Sequence, residues 1–510
     1  MQWLNKLADE VVAAHPDGEI LVSSGVSPSG VYHVGTLREV LTADAIMLEL
    51  RQRGRDARHV HNVDDLDPLR KIPAGLPDSF EKYFGMSLID VPAPDGKAGS
   101  SWADYYLKDF IKSARILGLD MEIWRSHQKY RGGFFVPAIE KVLANIDKAR
   151  EVITKISGRQ LDESWSPIQI KEDNYLKSRR FISLDAAQKT ITYEDKNGAE
   201  QTASYAKGDV KLYWRLDWPA RWWLLGVDVE PFGRDHATKG GSYDTGVGLM
   251  KVIFKDKPPL PLPYNFVNRT GQTKKMSKST GDTLAISDML EIMPPEVLRF
   301  FILRSAPDKL LFFDETNTVV KLIDDFAELL AKPNKTAEDE QLIRISMAGV
   351  AETTISNIPF SHLVASYQAA LKNVDTTLEI IRRTEHKETV AEQEQTIKKE
   401  LKFIDNWLKN WAPDDVKFEL ATQPPKLIDE KERQYLLALA EKIEQAPANA
   451  DGEWFHKAIY ELKNSSGLNP KQLFGALYKA LIDKDSGPRA GWFLSILPRD
   501  WLLARLRLQK

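Results

Sequence analysis

The chain has 510 residues, 43% of them hydrophobic, with 70 Lys and Arg against 73 Asp and Glu and a formal net charge of −3. That length predicts several domains with ample core, and the near-balanced charge excludes broad electrostatic capture of nucleic acid, so an RNA partner must meet local basic patches. The sequence contains no cysteine, which excludes a disulfide, a thiolate nucleophile and a cysteine-based zinc site. No run of about 18 apolar residues predicts a membrane span, and the N-terminus lacks the apolar stretch of a signal peptide, so a cytoplasmic protein is expected.

In chain order, Ile20-Leu21-Val22-Ser23-Ser24 reads as a short strand, punctuated by Gly25, Pro28 and Gly30. From Val34 the spacing of Leu37, Val40, Leu41, Ala45 and Leu48 predicts a helix with Gly54 as its stop, and a second strand runs from Ala57 to Val63. This is a β-loop-α-β unit whose glycine loop lies at the carboxyl end of the first strand, where amide N–H groups and a helix N-terminus favour anions. His33 stands where an imidazole can reach a phosphate. Taken alone, the segment better describes a hydrogen-bonded loop histidine. The Pro- and Gly-marked stretch 73–99 leaves the sheet, and a helix is expected near Trp102 to Leu117. Within Phe181 to Tyr205, β-like runs around Asn197-Gly198 predict a hairpin.

The sheet resumes near Lys211. Lys274, Lys275 and Lys278 flank two serines before Gly281, with no apolar periodicity to make them a helix face. Lysine runs are usually solvated surface. Beside a phosphate-type loop, however, they supply mobile positive charge where negative charge accumulates in phosphoryl chemistry. After Pro294, Val297, Leu298, Phe301 and Ile302 predict a helix, Asp314 starts another, and 336–510 reads as almost wholly helical.

The sequence resembles the class I aminoacyl-tRNA synthetases. His33-Val34-Gly35-Thr36 stands in the place of the "HIGH" motif, and Lys275-Met276-Ser277-Lys278-Ser279 matches "KMSKS" in full. Further segments are similar to the class I lysyl-tRNA synthetases: Pro28-Ser29-Gly30 leading into Arg38-Glu39-Val40, Asp64-Asp65-Leu66-Asp67 with Arg70-Lys71-Ile72-Pro73, and the Trp-rich run Trp214 to Trp222. Glu230-Pro231-Phe232-Gly233-Arg234-Asp235-His236, Pro295-Glu296-Val297-Leu298-Arg299 and Gly487-Pro488-Arg489-Ala490-Gly491-Trp492-Phe493 belong with them.

The fold this implies is α/β, a Rossmann-like doubly wound parallel sheet split by a connective insertion and followed by an all-α C-terminal region. The expected divisions are 1–85 and 211–293 for the two halves of the catalytic domain, 86–210 for the insertion, 294–335 for a helical junction and 336–510 for an anticodon-binding region. Relatives often carry zinc-binding cysteine pairs in the insertion; without them no structural zinc is expected. In the helical third, Lys471, Arg489, Arg499, Arg505 and Arg507 are candidate phosphate contacts.

The resemblance implies that L-lysine reacts with ATP, accompanied by Mg2+, to give lysyl-adenylate, and that lysine passes to the 2′-OH of the terminal adenosine of tRNA(Lys). His33, Lys275 and Lys278 are the expected catalytic residues. ATP would be held by Pro28, His33, Gly35, Thr36, Gly233, Asp235 and the stretch Lys275, Met276, Ser277, Lys278 and Ser279. The lysine pocket would comprise Gly25, Ser27, Glu39, Trp214, His236 and Tyr264, with Glu39 facing the ammonium. Ser27 stands where a threonine is expected, and Thr36 where the family has histidine or asparagine. Trp218 fits the core as well as the pocket, and Asp64, Asp65 and Asp67 fit a metal cluster or a layer ordering the site from behind. Two other readings remain open: a class I synthetase for another amino acid would change the pocket, and a non-catalytic tRNA-binding paralogue would be expected to lose the lysine loop.

Overall fold

A computed structural model describes residues 1–163, 165–271, 284–425, 428–447 and 450–509. The chain divides into two compact units: one holds 1–290, 298–313 and 335–350, the other 291–297, 314–334 and 351–510.

The first unit is built on a five-stranded, wholly parallel sheet in the order Leu260–Tyr264, Val229–Gly233, Ile20–Val26, Ala57–Val63, Glu122–Arg125. The strand Ile20–Val26 is central and buried, as a parallel strand covered on both faces must be. From it the chain winds outward through Ala57–Val63 to Glu122–Arg125, which lies inside the 86–210 stretch, and then returns to add Val229–Gly233 on the other side. This reversal creates a switch point at the carboxyl end of Ile20–Val26, where open α/β sheets bind ligands. Leu260–Tyr264 carries Pro261 and Pro263 and is tolerated as a strand because it takes an edge.

Helix Val34–Gln52 follows the first strand. His33 caps it, Nδ1 accepting from the Gly35 N–H at 3.1 Å, and Gly54 closes it at φ +76°. The helix is buried nearly all round, so its polar residues need internal partners. Asp44 pairs with Arg299 at 2.6 Å, both fully enclosed, while the same guanidinium donates to the Ile345 and Leu117 carbonyls. Beneath the sheet surface, Ser24 Oγ lies 2.7 Å from His59 Nε2 and 2.8 Å from His61 Nδ1; burial pushes both rings down to about 3, so they are neutral.

Between the two halves of the sheet come the helices Ser126–Arg131, Val136–Leu143 and Ile146–Ser157 and two small antiparallel sheets. The second sheet joins Arg180–Asp185, Thr190–Glu194 and Glu200–Ser204. Its last turn carries Gly198 at φ +82°, with Asp195 Oδ1 accepting from the Asn197 and Ala199 N–H groups. Packing holds this region: Ile191, Tyr193 and Tyr205 join the core formed by Trp124, Phe135, Trp218 and Trp222.

The helix Trp102–Ile116 ends at Gly118 (φ +68°), where a Cβ would sit 2.6 Å from both the Ala348 carbonyl and the Cα of Gly349, itself at φ +78°. Gly118→Ala is therefore expected to destabilise the protein by about 1–3 kcal/mol. A lowered thermal midpoint checks this; an unchanged midpoint would sink it.

The second unit is helical. Its longest helix is Lys387–Asn410, and a second core gathers Tyr435, Leu439, Phe455, Leu477, Phe493 and Leu502.

Candidate active site

The carboxyl ends of Ile20–Val26 and Val229–Gly233 open into a cavity of about 460 Å³. Gly25 and Ser27 reach it from the first strand and its loop, Glu39 from the following helix, Trp214 from helix Trp214–Leu225, His236 from the turn after Gly233, and Tyr264 from the edge strand. Thus all six residues proposed from sequence for a lysine pocket line one space, although they span 240 positions of chain. Gly233 and Asp235 line it too.

Glycine leaves room for a neighbour at two points. A Cβ on Gly25 would meet Asn62 at 3.1 Å, and one on Gly233 would meet Asp235 Oδ1 at 2.6 Å. One wall is aromatic: Trp214 stacks on Trp218 at 5.4 Å, and the His236 ring stands edge-on to both, at 5.7 and 5.5 Å. Trp218 serves wall and core at once.

The opposite wall is acidic. Glu39 accepts from the Gly25 N–H and from the Tyr264 hydroxyl, each at 2.6 Å, yet burial prevails over both bonds and pushes its carboxyl up to about 7. Glu230 lies deeper, accepting from the indole N–H groups of Trp218 (3.0 Å) and Trp222 (2.5 Å); burial raises it, against the pull of Arg221. Arg221 pairs with Asp217 at 3.0 Å, and Asp217 accepts from the Tyr130 hydroxyl at 2.6 Å. Sequence reasoning missed Glu230 and Arg221 as site residues. The available signal was ionisable groups standing within otherwise apolar runs.

The three aspartates after the second strand diverge. Asp64 pairs with buried Lys211 at 3.1 Å, and although burial opposes it, Lys211 and Arg221 together hold Asp64 below its usual range. Asp65 accepts from Arg125 Nε and the His127 N–H, both at 2.8 Å. Asp67 clamps Arg70 through two bonds of 2.7 Å and accepts from Ser27 Oγ at 3.1 Å. Asp64 and Asp67 line the cavity, Asp65 does not, and the three carboxylates turn to different partners.

Pro28 lies in the loop before helix Val34–Gln52, His33 caps it, and Gly35 and Thr36 fall in its first turn; none of the four is among the residues lining the cavity. A Cβ at Gly35 would strike the His33 ring at 2.8 Å. Lys275, Met276, Ser277, Lys278 and Ser279 lie outside the described residues. The described chain on either side of them is nonetheless fixed: the Thr270 N–H donates to the Phe313 carbonyl, the Val34 N–H to Leu284, and the Ile286 N–H to Tyr32. His33 and Ala285 form a bridge, so the described chain at 284–286 lies against the His33 turn.

Two of the candidate phosphate contacts in the helical unit are turned inward. Arg499 donates to the Ile443 and Ala446 carbonyls, closing helix Glu430–Glu444, and buried Arg505 donates to the Gln509 carbonyl. Arg507 pairs with Glu444 at 2.7 Å, whereas Lys471 and Arg489 are exposed.

Residues 1–352 match the family model of class I (K) tRNA synthetases, and 368–509 that of an anticodon binding domain. Lysine–tRNA ligase 1 of Methanosarcina acetivorans is 35% identical over 99% of this chain and 98% of its own length. The lysine–tRNA ligase of Archaeoglobus fulgidus is 34% identical over 99% of both chains, and that of Pyrococcus horikoshii 31% over the whole of both. The chain belongs to the class I lysyl-tRNA synthetases. Synthetases of class I consume ATP with Mg2+, and this one carries an anticodon-binding domain in its helical part. Among the described residues no helix is long and apolar enough to cross a membrane.

Proposed function

We propose that this synthetase activates L-lysine with ATP in the cavity between Glu39 and the Trp214–His236 wall and then charges tRNA(Lys). The observation that carries the pocket assignment is its charge. Five carboxyl groups line the cavity (Glu39, Asp64, Asp67, Glu230 and Asp235) against two guanidinium groups, Arg70 and Arg221. Lysine brings two ammonium groups, and its methylenes lie against the indole and imidazole rings, where a cation–π contact contributes roughly 0.5–2 kcal/mol. Glu39 and Tyr264 take the ε-ammonium, Gly25 and Ser27 the amino-acid end, and Asp235 the ribose hydroxyls of ATP.

The lysine carboxylate attacks the α-phosphorus in line, the bond to the bridging oxygen breaks, and pyrophosphate leaves. Because His33 Nδ1 accepts from Gly35, the neutral ring carries its proton on Nε2, the tautomer that donates to a phosphate oxygen. Lys278, assisted by Lys275, adds positive charge from the other side. The terminal 2′-OH of tRNA then attacks the acyl carbon and AMP departs. Residues 86–210 face the acceptor end in this reading, 294–335 the stem, and 336–510 the anticodon.

ATP–pyrophosphate exchange with each of the twenty amino acids, with and without total tRNA, tests the reading. Lysine alone should support exchange. Another amino acid would reassign the pocket, and tRNA binding without any exchange would favour a non-catalytic paralogue.

The position of Glu39 adds a pH dependence. Its carboxyl is raised in the folded protein, so its contribution to apo stability is present below about 4.5 and lost as pH rises through about 7. The ammonium of lysine needs the ionised form, so binding should be roughly tenfold weaker near pH 6 than near pH 8. Calorimetric titration of lysine across that range would show it, and a pH-independent Kd would remove Glu39 from the ammonium.

A further inference from the structure

One cluster in the helical unit has no part in lysine activation. His362, in the first turn of helix Phe360–Ala369, sets its Nδ1 3.1 Å from Nε2 of His386, the residue preceding helix Lys387–Asn410. Glu385 brings a carboxylate oxygen to 3.8 Å from the same Nε2. Among the described residues these three form a group whose candidate ligand atoms all lie within 4.8 Å of one another. We propose that His362, Glu385 and His386 bind one divalent transition-metal ion of the zinc type, with solvent completing its coordination.

The donor set selects the class of ion. Two imidazole nitrogens and one carboxylate oxygen suit zinc, cobalt, nickel or copper and not the hard, all-oxygen cations. Two nitrogens bound to one tetrahedral zinc stand about 3.4 Å apart, so the imidazoles need separate by only a few tenths of an ångström. The His362 ring is held for the purpose, stacked on Trp492 at 4.1 Å with 10° between the planes. The His386 N–H donates to Thr384 Oγ1 at 3.2 Å, which fixes the backbone there. The Glu385 side chain is 60% exposed, so it can turn onto the ion while leaving a position open to water.

The competing account is a direct hydrogen bond between two neutral imidazoles. It explains the 3.1 Å separation and leaves Glu385 without a role. A bound ion would instead staple helix Phe360–Ala369 to the start of Lys387–Asn410 and, through the stacked Trp492, brace the Gly487–Phe493 segment. His362, Trp492, Arg489 and Trp407 all line one cavity of about 620 Å³ in this unit, so occupancy of the metal site would set part of that cavity's wall.

Because the chain has no cysteine, no thiolate site competes in a metal titration. EDTA-stripped full-length protein should take up one equivalent of Co2+ with the visible bands of a low-symmetry nitrogen–oxygen site and one equivalent of Zn2+ by calorimetry. Its thermal midpoint should rise with Zn2+ concentration, since the ion binds the folded form. His362→Ala and His386→Ala should abolish uptake, Glu385→Gln should weaken it about tenfold or more, and His456→Ala, which removes an exposed histidine of helix Gly452–Glu461, should leave it unchanged. Should His362→Ala fail to fold for want of its stack on Trp492, His386→Ala and Glu385→Gln carry the test. Absence of uptake at micromolar metal, or equal uptake by His386→Ala and Glu385→Gln, overturns the proposal in favour of the imidazole–imidazole bond.

Discussion

Glu39→Gln is expected to lower kcat/KM for lysine in ATP–pyrophosphate exchange by about 1,000-fold, the scale of leaving an enclosed ammonium without its carboxylate. The KM for ATP should not move, because Glu39 makes its side-chain contacts with Gly25 and Tyr264. The substitution spares the fold for a specific reason. Glutamine can keep its carbonyl oxygen on the Gly25 N–H and turn its amide toward Tyr264, whose hydroxyl can reverse and accept. A neutral group at this place also resembles the protonated form that burial favours, so the thermal midpoint of the apo variant near pH 8 should equal or exceed that of the unaltered protein. This second reading separates lost recognition from lost structure. A lysine kcat/KM within about threefold of normal would remove Glu39 from the ammonium; a lowered midpoint would mean that its carboxylate serves the fold.

What local rules reach and what they miss can be seen at neighbouring residues. The unit Ile20–Val26, Val34–Gln52, Ala57–Val63 was legible because each element carries its own signals: β-favouring runs, the helical spacing of Leu37, Val40, Leu41, Ala45 and Leu48, and Gly54 where the helix needs a left-handed residue. The hairpin turn at Asn197-Gly198 was legible for the same reason. The lysine pocket was not. Its residues come from five separate elements, and only their resemblance to a family joins Gly25 to Tyr264 before the sheet does so. Glu230 and Arg221 escaped because a charged residue in a strand or helix is ordinarily assigned to solvent, and only the folded chain shows that both are buried and line the cavity. Arg499 and Arg505 failed in the opposite sense. A basic C-terminal helix suggests phosphate contacts, but whether a guanidinium points outward or caps a neighbouring helix is settled by tertiary packing. His59 and His61 carry the same lesson, since nothing local announces that both alternate positions of a strand are covered.

Lys278→Ala should reduce the rate of lysyl-adenylate formation by about 100-fold or more, the effect of removing one donor from the charge that develops on transferring phosphate. The argument starts from the anchors. The strand Val267–Arg269, paired with Leu311–Phe313, precedes the lysines, and after them the chain is pinned at Leu284 and Ile286 by hydrogen bonds to Val34 and Tyr32, on either side of His33. Leu284 and Ile286 set the described chain that follows the lysines beside His33, and the role proposed for Lys278 rests on that anchor. Pre-positioned opposite charge is what the reaction requires of the protein, and the proposal assigns that charge to Lys278 opposite His33. Once pyrophosphate has left, Lys278 has less negative charge to stabilise. Transfer of lysine from preformed adenylate to tRNA should therefore suffer much less than adenylate formation in a single-turnover comparison, and Lys278→Arg should recover part of the first step. Equal loss in both steps would make Lys278 a structural residue, and unchanged ATP–pyrophosphate exchange would break the clamp on which the proposed mechanism depends.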